Sequence, residues 1–216
     1  MAHLGRNGHG RENSVEAILD VNRYKPDIIE LDVRKSADGV VFGFHGSLPF
    51  GFLFAYFLRF FKFRTFKKYF QLDTLSELLA AVKGNPIIYL DIKQRNISPQ
   101  DFQNVLKNFP QYEIWFAPYS LSYLQELKSF FGKRYKYAYN FGFFQFDKCL
   151  EQAKKIGIDS FQIFFWQLNP EILRKIKESG LDYALSLFLL SKKRYFELLQ
   201  KCHSLWICCD DLKHLD

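Results

Sequence analysis

Two acidic side chains occupy the middle of an otherwise hydrophobic stretch, which runs from Asp27 to Gly46 and reads DIIELDVRKSADGVVFGFHG. Side chains alternate between the two faces of a strand, so Glu30 and Asp32 share one face while aliphatic residues occupy the other. Two ionised carboxylates that are buried together repel each other and lose their hydration. A divalent cation bound between them would remove both costs, and we therefore interpret the pair as part of a metal site.

A second stretch, YLDIK, repeats this arrangement with an acid and a cation. Asp91 and Lys93 share one face of the predicted strand. His3 ends the first predicted strand, and His45 ends the segment that returns from the turn at Asp38–Gly39. Carboxylates, histidines and a lysine at one edge suit metal-assisted phosphoryl chemistry, because the metal neutralises phosphate charge and the histidines exchange protons. In the alternative, the acids only form ion pairs with Lys93 and an arginine.

Short hydrophobic runs alternate with amphipathic segments along the chain, and this order predicts how these residues are positioned. The expected main strands are centred at His3, Ile29, Leu90, Trp115, Tyr137, Ile163, Leu185 and Ile207. Eight strands alternating with helices favour an α/β fold, a (β/α)8 TIM barrel, whose active site lies at the carboxyl ends of the strands. An open doubly wound sheet is the alternative, but no glycine-rich phosphate loop follows the first strand.

The composition indicates one folded domain over residues 1–216, since 48% of the residues are hydrophobic. The net charge of +7 favours an anionic partner, such as a phosphate compound, a membrane surface or nucleic acid. No run reaches the length of a membrane-spanning helix, and the first residues contain no apolar signal region. We therefore expect a cytoplasmic location, with a peripheral contact at the inner membrane surface as an extension of it.

A cysteine- and histidine-rich segment near the carboxyl terminus raises the question of a zinc site. Its candidate ligands are Cys202, His203, Cys208, Cys209 and His214. They lack the spacing of standard zinc sites, and the cysteine pair follows an apolar run, so we interpret these cysteines as ordinary core residues.

An insertion at residues 46–73 follows the second strand and is aromatic and basic. Between Gly46 and Phe70 it contains eleven aromatic residues, five basic residues and no acidic residue. One interpretation is a compact cap over the barrel mouth. The other is a lipid contact through residues 50–70, with exposed aromatics bordered by cations. Nucleic-acid binding is the third interpretation, and we expect none because no recognised nucleic-acid module surrounds the segment.

The lipid interpretation predicts which aromatic side chains are exposed to solvent. The aromatics expected in one exposed patch are Phe52, Phe54, Phe57, Phe60, Phe61 and Phe63, bordered by Arg59, Lys62 and Lys67. A simple cap would instead bury most of these side chains.

Four separated motifs together resemble the glycerophosphodiester phosphodiesterase family. The family's usual elements are an AHRG strand end, a PENT or PENS segment, an IELDV…DG…VxxHD hairpin and an EIK strand. This sequence has AHLG at 2–5, RENS at 11–14, IELDVRKSADGVVFGFHG at 29–46 and YLDIK at 89–93. Their order and spacing agree over roughly the first 95 residues, and agreement at several motifs is specific.

The resemblance implies a hydrolase of lipid metabolism and a role for each matching residue. It implies that Glu30, Asp32 and Asp91 bind Mg²⁺ or Ca²⁺, both of which prefer oxygen ligands. The other implied roles are acid–base catalysis by His3 and His45, phosphate binding by Lys93 and Arg6, and support of the site by Glu12 and Asn13.

The implied reaction is hydrolysis of a glycerophosphodiester, or of a lysophospholipid, to glycerol 3-phosphate, or its lipid analogue, and an alcohol. A route proposed for the family begins with attack by the neighbouring glycerol hydroxyl, which gives a cyclic phosphate.

Three positions depart from the family pattern. Leu4 stands where the family has arginine, Asp91 where it has glutamate, and Gly46 where it has aspartate. The change at position 4 removes a bidentate phosphate contact, for which Arg6 or Arg11 could substitute. Two alternatives follow: an enzyme like sphingomyelinase D or lysophospholipase D, and a catalytically weak relative that binds phosphate.

Overall fold

The computed structural model describes residues 1–5, 11–46, 57–141, 145–164, 167, 169–186 and 206–208. Its strands are β1 (Ile28–Lys35), β2 (Val41–Gly43), β3 (Ile87–Ile92), β4 (Ile114–Pro118), β5 (Lys136–Asn140), β6 (Ser160–Phe164), β7 (Asp182–Ser186) and β8 (Trp206–Cys208). Its α-helices are α1 (Val15–Val21), α2 (Phe63–Phe70), α3 (Leu75–Ala81), α4 (Pro99–Leu106), α5 (Leu121–Phe131), α6 (Phe146–Ile156) and α7 (Pro170–Glu178). Short 3-10 helices lie at His3–Gly5, Asn22–Tyr24 and Leu58–Phe60.

The strands form one sheet in the order β2-β1-β3-β4-β5-β6-β7-β8. All neighbouring pairs are parallel except β1 and β2, which form the predicted antiparallel hairpin. Ala2 adds a parallel bridge to Ile29 on the edge of β1. Together with Ala2, the parallel strands occupy the eight positions that a (β/α)8 barrel requires, and the predicted fold class is confirmed.

Local sequence explains where the helices of the first half begin. Ser14, Thr74 and Ser98 cap the amino ends of α1, α3 and α4, and each accepts a hydrogen bond from a backbone amide of the first turn. At Thr74 and Ser98 the third helical residue is acidic and bonds back to the cap, which completes a capping box. These caps satisfy free backbone amides of the first turn and so fix where each helix begins.

The alternation of side chains along the strands divides the core in two. Ile29, Leu31 and Val33 of β1 belong to the large cluster that packs against the helices. Ile28 instead joins Tyr89 in a separate cluster on the opposite face of the sheet. Glu30 and Asp32 follow Ile28 on this second face, as the sequence pattern predicts.

The described part of the insertion is anchored through a small hydrophobic cluster of its own. Its members are Phe42, Leu58, Phe63, Phe66 and Leu72, all buried. The amide of Phe63 also donates a hydrogen bond of 2.8 Å to Asp38 Oδ1 in the β1–β2 turn. The insertion therefore packs on the hairpin that carries His45.

One expected element differs from the structure, and another lies outside the described residues. His3 lies in a 3-10 turn that follows the single bridge at Ala2, because the chain bends away before it forms a strand. The helix predicted between β7 and β8 lies outside the described residues. Among those described, no helix has the length and apolar character needed to cross a membrane.

Replacing Phe42 with alanine should strongly destabilise the protein. Its fully buried ring contacts Phe63 and Phe66, at centroid distances of 5.4 Å for both. We expect the free energy of unfolding to fall by about 3–5 kcal/mol in urea denaturation followed by circular dichroism. Phe60→Ala is the control, since the exposed ring of Phe60 should contribute no more than about 0.5 kcal/mol. Equal denaturation midpoints for the two variants would contradict the packing role of Phe42.

Candidate active site

Three carboxylates meet at the carboxyl ends of β1 and β3. Asp32 and Asp91 are directly paired in the parallel register, and Glu30 lies two residues earlier on the same face of β1. One oxygen from each of the three lies within 4.8 Å of the others, and all three residues are buried. Adjacent parallel strands lie about 4.8 Å apart, so the register alone brings the two aspartates together.

Lys93 compensates part of this negative charge. Its Nζ lies 2.8 Å from Asp32 Oδ1 and 2.6 Å from Asp91 Oδ2. The ammonium also donates a hydrogen bond of 3.3 Å to the hydroxyl of Tyr119, which itself donates to Asp91 Oδ2. One lysine thus holds two acids, but three carboxylates carry more negative charge than it can balance.

Burial and the neighbouring charges together shift the pKa values of the two aspartates in opposite directions. Burial works to raise the pKa of Asp32, but the charges of Lys93 and the two histidines hold it below its ordinary value. Burial raises the pKa of Asp91, and repulsion from Asp32 adds to this. Burial opposes the charged form of Lys93, yet the two aspartates raise its pKa well above the ordinary value. The pair of aspartates therefore resists carrying two full charges with Lys93 alone.

The carboxylate cluster fits an oxygen-seeking divalent ion. Asp91 Oδ1 is buried and accepts no hydrogen bond from a described residue. Asp32 Oδ1 is buried in the same way and lacks a hydrogen bond of good geometry despite the nearby lysine. Buried carboxylate oxygens normally have partners, and a cation would supply one to each. Glu30, Asp32 and Asp91 are therefore a suitable ligand set for Mg²⁺ or Ca²⁺.

Asn13 fixes the orientation of Asp32. Its amide nitrogen donates to Asp32 Oδ2 at 3.0 Å, and its side-chain oxygen accepts from the backbone amide of Asp32 at 2.8 Å. Asn13 has a positive φ of 49°, a conformation that asparagine tolerates better than most residues. Gly43 allows this close approach, because a Cβ there would lie 2.9 Å from the Asn13 carbonyl oxygen.

The two candidate histidines approach the carboxylates from neighbouring segments. The rings of His3 and His45 are 6.4 Å apart between centroids and meet edge to face. Gly5 turns the chain after His3 with a φ of +60°, and a Cβ there would press on Leu31 at 3.0 Å. Glycine is therefore required in the AHLG segment for a steric reason.

Glu12 and Arg34 hold His45 in place. His45 Nδ1 lies 3.6 Å from Glu12 Oε2. Contact with Glu12 raises the pKa of His45, against the opposing effect of burial. The buried guanidinium of Arg34 donates to the backbone oxygens of Phe44 at 2.9 Å and His45 at 3.1 Å. These contacts favour a protonated, fixed imidazole beside the acids.

A cavity of about 940 Å³ opens beside the cluster. It is lined by Arg34, His45, Arg59, Lys93, Gln94, Arg95, Asn96 and Tyr119. Sequence reasoning did not assign Arg34, Arg95 or Tyr119 to the site. Tyr119 directly follows the end of β4, and this position at a strand's carboxyl end is the signal that could have identified it.

Of the two arginines that could replace the family arginine, the structure describes only one. Arg6 lies outside the described residues. Arg11 does not face the carboxylates but donates to Asp73 Oδ2 at 2.9 Å and to Gln71 Oε1 at 3.2 Å. Because Asp73 also accepts from the amide of Val15, it ties Arg11 to the start of α1. In this conformation Arg11 therefore makes structural contacts and does not reach the carboxylates.

Comparison with known proteins relates this geometry to solved structures. No family model matches the sequence, and no curated protein matches it. A glycerophosphodiester phosphodiesterase from Thermotoga maritima is 22% identical, with a TM-score of 0.79 over 100% of this chain and 95% of its own. A phosphodiesterase from Oleispira antarctica, solved with its product sn-glycerol-3-phosphate, is 17% identical, with a TM-score of 0.82 over 99% of this chain and 94% of its own.

This chain has the fold of the glycerophosphodiester phosphodiesterases. The likeness spans nearly the whole length of both relatives, so the resemblance seen in the four motifs is confirmed at the level of the fold. At these identities the comparison shows the fold alone. The roles of individual residues rest on the geometry of this site.

Glu12→Gln should lower the pKa of His45. The glutamate carboxylate stabilises the imidazolium, and an uncharged amide in its place would not. NMR titration of the His45 ring in metal-free protein measures the shift, with His45→Gln to assign the resonance. Because the pKa is raised in the folded state, the stabilising contact is fully present below the ordinary value of about 6.5. It is lost as the pH rises through the folded pKa.

Glu16→Gln is the matched control for this titration. Glu16 is an exposed acid in the first turn of α1, close in sequence to Glu12, and its replacement should leave the His45 titration unchanged. An unchanged titration in Glu12→Gln as well would show that Glu12 does not hold the proton on His45.

Proposed function

We propose that the protein is a metal-dependent phosphodiesterase that hydrolyses glycerophosphodiesters to glycerol 3-phosphate and an alcohol. The observation that carries the proposal is the convergence of three buried carboxylates beside two histidines. The shared fold supports the same reaction class, since one relative was solved with glycerol 3-phosphate as its product. Lysophospholipids, which contain the same diester with one acyl chain, are included as substrates.

Glu30, Asp32 and Asp91 would hold the divalent ion. When bound, Mg²⁺ or Ca²⁺ would supply positive charge that neutralises the phosphate oxygens and favours attack at phosphorus. Lys93 lies between two of the ligands and provides a further cation for a phosphate oxygen. Asn13 keeps Asp32 in one orientation, which fixes one ligand before any ion binds.

The histidines would carry the protons of the reaction. Glu12 favours the protonated form of His45, which suits donation of a proton to the leaving alcohol oxygen. His3, whose ring centre lies 6.4 Å from that of His45, would accept the proton of the attacking hydroxyl. Arg34 fixes the backbone of His45 and so keeps the donor at a constant position.

The histidine assignment predicts a large loss of turnover on substitution. His3→Ala and His45→Ala should each lower kcat for glycerophosphocholine hydrolysis by about 100-fold or more. Release of glycerol 3-phosphate is measured with Mg²⁺ or Ca²⁺ present. Near-normal turnover in either variant would remove that histidine from the mechanism. No turnover by the unmodified protein with either ion, on diesters or lysophospholipids, would favour a phosphate-binding relative without activity.

Glu30→Gln should weaken binding of the divalent ion by at least about 100-fold, more than the loss of a supporting residue would. Calorimetric titration with Mg²⁺ and Ca²⁺ measures this without relying on activity. Asp27→Asn is the matched control, because Asp27 is an exposed acid just before the opposite end of the same strand. The fold should tolerate Glu30→Gln, since the change removes a charge that repels its neighbours. Equal affinities in the two variants would refute the ligand assignment.

We further propose that the insertion contacts an anionic lipid surface. Phe57, Phe60 and Phe61 are exposed, while Phe52 and Phe54 lie outside the described residues. One expectation about this patch was wrong, because Phe63 is buried in the anchoring cluster. Lys67, expected at the border of the patch, forms an ion pair with Glu77 at 2.8 Å. Exposed aromatics beside exposed cations are suited to the interface of an anionic bilayer.

Vesicle co-sedimentation tests this contact. Replacing the exposed Arg64 and Lys68 with serine should cost about 2 kcal/mol of binding to phosphatidylserine vesicles, roughly 30-fold. Phe60→Ser with Phe61→Ser should also reduce recovery. Phe130→Ser is the control, because Phe130 is similarly exposed on α5, outside the insertion. Equal recovery of the unmodified protein with neutral and anionic vesicles, at low and high salt, would leave only the cap interpretation.

A further inference from the structure

Tyr119 brings a neutral hydrogen-bond donor into the charged cluster. It directly follows the end of β4, and its side chain lines both the cavity beside the carboxylates and a second cavity next to α5. Its hydroxyl donates to Asp91 Oδ2 at 3.3 Å and accepts from Lys93 Nζ at 3.3 Å. Because a phenol keeps its proton at neutral pH, the tyrosine makes this contact without carrying a net charge.

The two carboxylate oxygens of Asp91 have different surroundings. Oδ2 accepts a hydrogen bond of 2.6 Å from Lys93 and a second one from Tyr119. Oδ1 is buried and accepts no hydrogen bond from a described residue. Two donors on one oxygen restrict the rotation of the carboxylate, so the contacts at Oδ2 also determine where Oδ1 points. Since buried carboxylate oxygens normally have a partner, Oδ1 is the atom that Asp91 can offer to an ion.

Lys93 is less suited than Tyr119 to fix this orientation. Its ammonium lies 2.8 Å from Asp32 Oδ1 as well, so two acids share it, and its four-carbon stem is flexible. A bound divalent ion would also repel the ammonium, because both are cations. The tyrosine has a rigid ring on two rotatable bonds and no net charge. Its contact with Asp91 is therefore compatible with a cation beside the same carboxylate.

We infer that Tyr119 is a positioning residue for the metal site. Its hydroxyl holds Oδ2 of Asp91 and so keeps Oδ1 available, in one orientation, for a divalent ion. The inference rests on the proposed function, since it requires that Glu30, Asp32 and Asp91 bind such an ion. Residues that orient a metal ligand typically change metal affinity by about 10–100-fold.

The orientation of a ligand matters more for Mg²⁺ than for Ca²⁺. Mg²⁺ requires a nearly ideal octahedral geometry at short distances, whereas Ca²⁺ accepts a flexible geometry and a variable number of ligands. A carboxylate that is free to rotate therefore weakens Mg²⁺ binding more. Removing the charge of a ligand, as in Glu30→Gln, should instead weaken the binding of both ions. The ratio of the two affinities thus distinguishes the orientation of Asp91 from the charge of the site.

Tyr119→Phe tests the inference, because it removes the hydroxyl and keeps the ring. We expect the affinity for Mg²⁺ to fall by about tenfold or more, and that for Ca²⁺ by less than about threefold. Calorimetric titration of the metal-free full chain with each ion measures this without relying on turnover. An unchanged Mg²⁺ affinity would overturn the inference. An equal loss for both ions would also overturn it, because the hydroxyl would then not act by orienting Asp91.

Tyr112→Phe is the matched control. The buried hydroxyl of Tyr112 donates to the backbone oxygens of Leu79 at 3.3 Å and Val82 at 3.0 Å, at the end of α3. Its removal should lower the melting temperature and leave both ion affinities unchanged. Tyr119→Phe should lower the melting temperature of the metal-free protein by less. A larger fall than in the control, with a parallel loss of both affinities, would mean that Tyr119 only supports the fold.

The same titrations separate this inference from the proposed function. If the unmodified protein bound neither ion, the metal site would be refuted and the inference with it. If the unmodified protein bound Mg²⁺ and Tyr119→Phe bound it equally well, the inference alone would be overturned and the proposed function would stand.

Discussion

The repulsion between buried carboxylates at the ends of β1 and β3 is the constraint on which the rest of the site depends. Asp32 and Asp91 are held side by side by the parallel register, and Glu30 is added by the alternation of the same strand. Burying unbalanced charge costs several kcal/mol per group, so the arrangement is only favourable if cations approach it. Lys93 supplies part of this positive charge by direct contact, His3, His45 and Arg34 contribute from nearby, and the proposed divalent ion would add to it.

Neighbouring elements are arranged around this electrostatic centre. The hairpin returns His45 to the mouth of the strands, where Arg34 holds its backbone and Glu12 contacts its ring. Asn13, in its left-handed conformation, occupies the hydrogen-bonding positions of Asp32 that face away from Lys93. Each contact fixes the orientation of one side chain in advance. This reduces the rearrangement of side chains that a reaction at the site would require.

The insertion connects the site with the surface. Its buried aromatics pack on Phe42 of the hairpin, so the segment is held by the same element that carries His45. Its exposed aromatics face solvent, while Arg59 lines the cavity. A single inserted segment thus combines a hydrophobic anchor, exposed aromatic side chains and a cation that lines the cavity, and these features are separated by the direction in which neighbouring side chains point.

The sequence by itself determined the features that depend on local periodicity. Strand alternation placed Glu30, Asp32 and Asp91 on one face, the Asp38–Gly39 turn predicted the hairpin, and the order of elements predicted the barrel. These inferences succeed because backbone geometry relates residues a few positions apart.

Only the tertiary structure decided contacts between distant segments. It paired Arg11 with Asp73, buried Phe63, and brought Arg59 and Tyr119 to the same cavity as Lys93. No local pattern specifies which of several nearby cations meets a given acid, because that choice depends on how the insertion and the loops after the strands pack together.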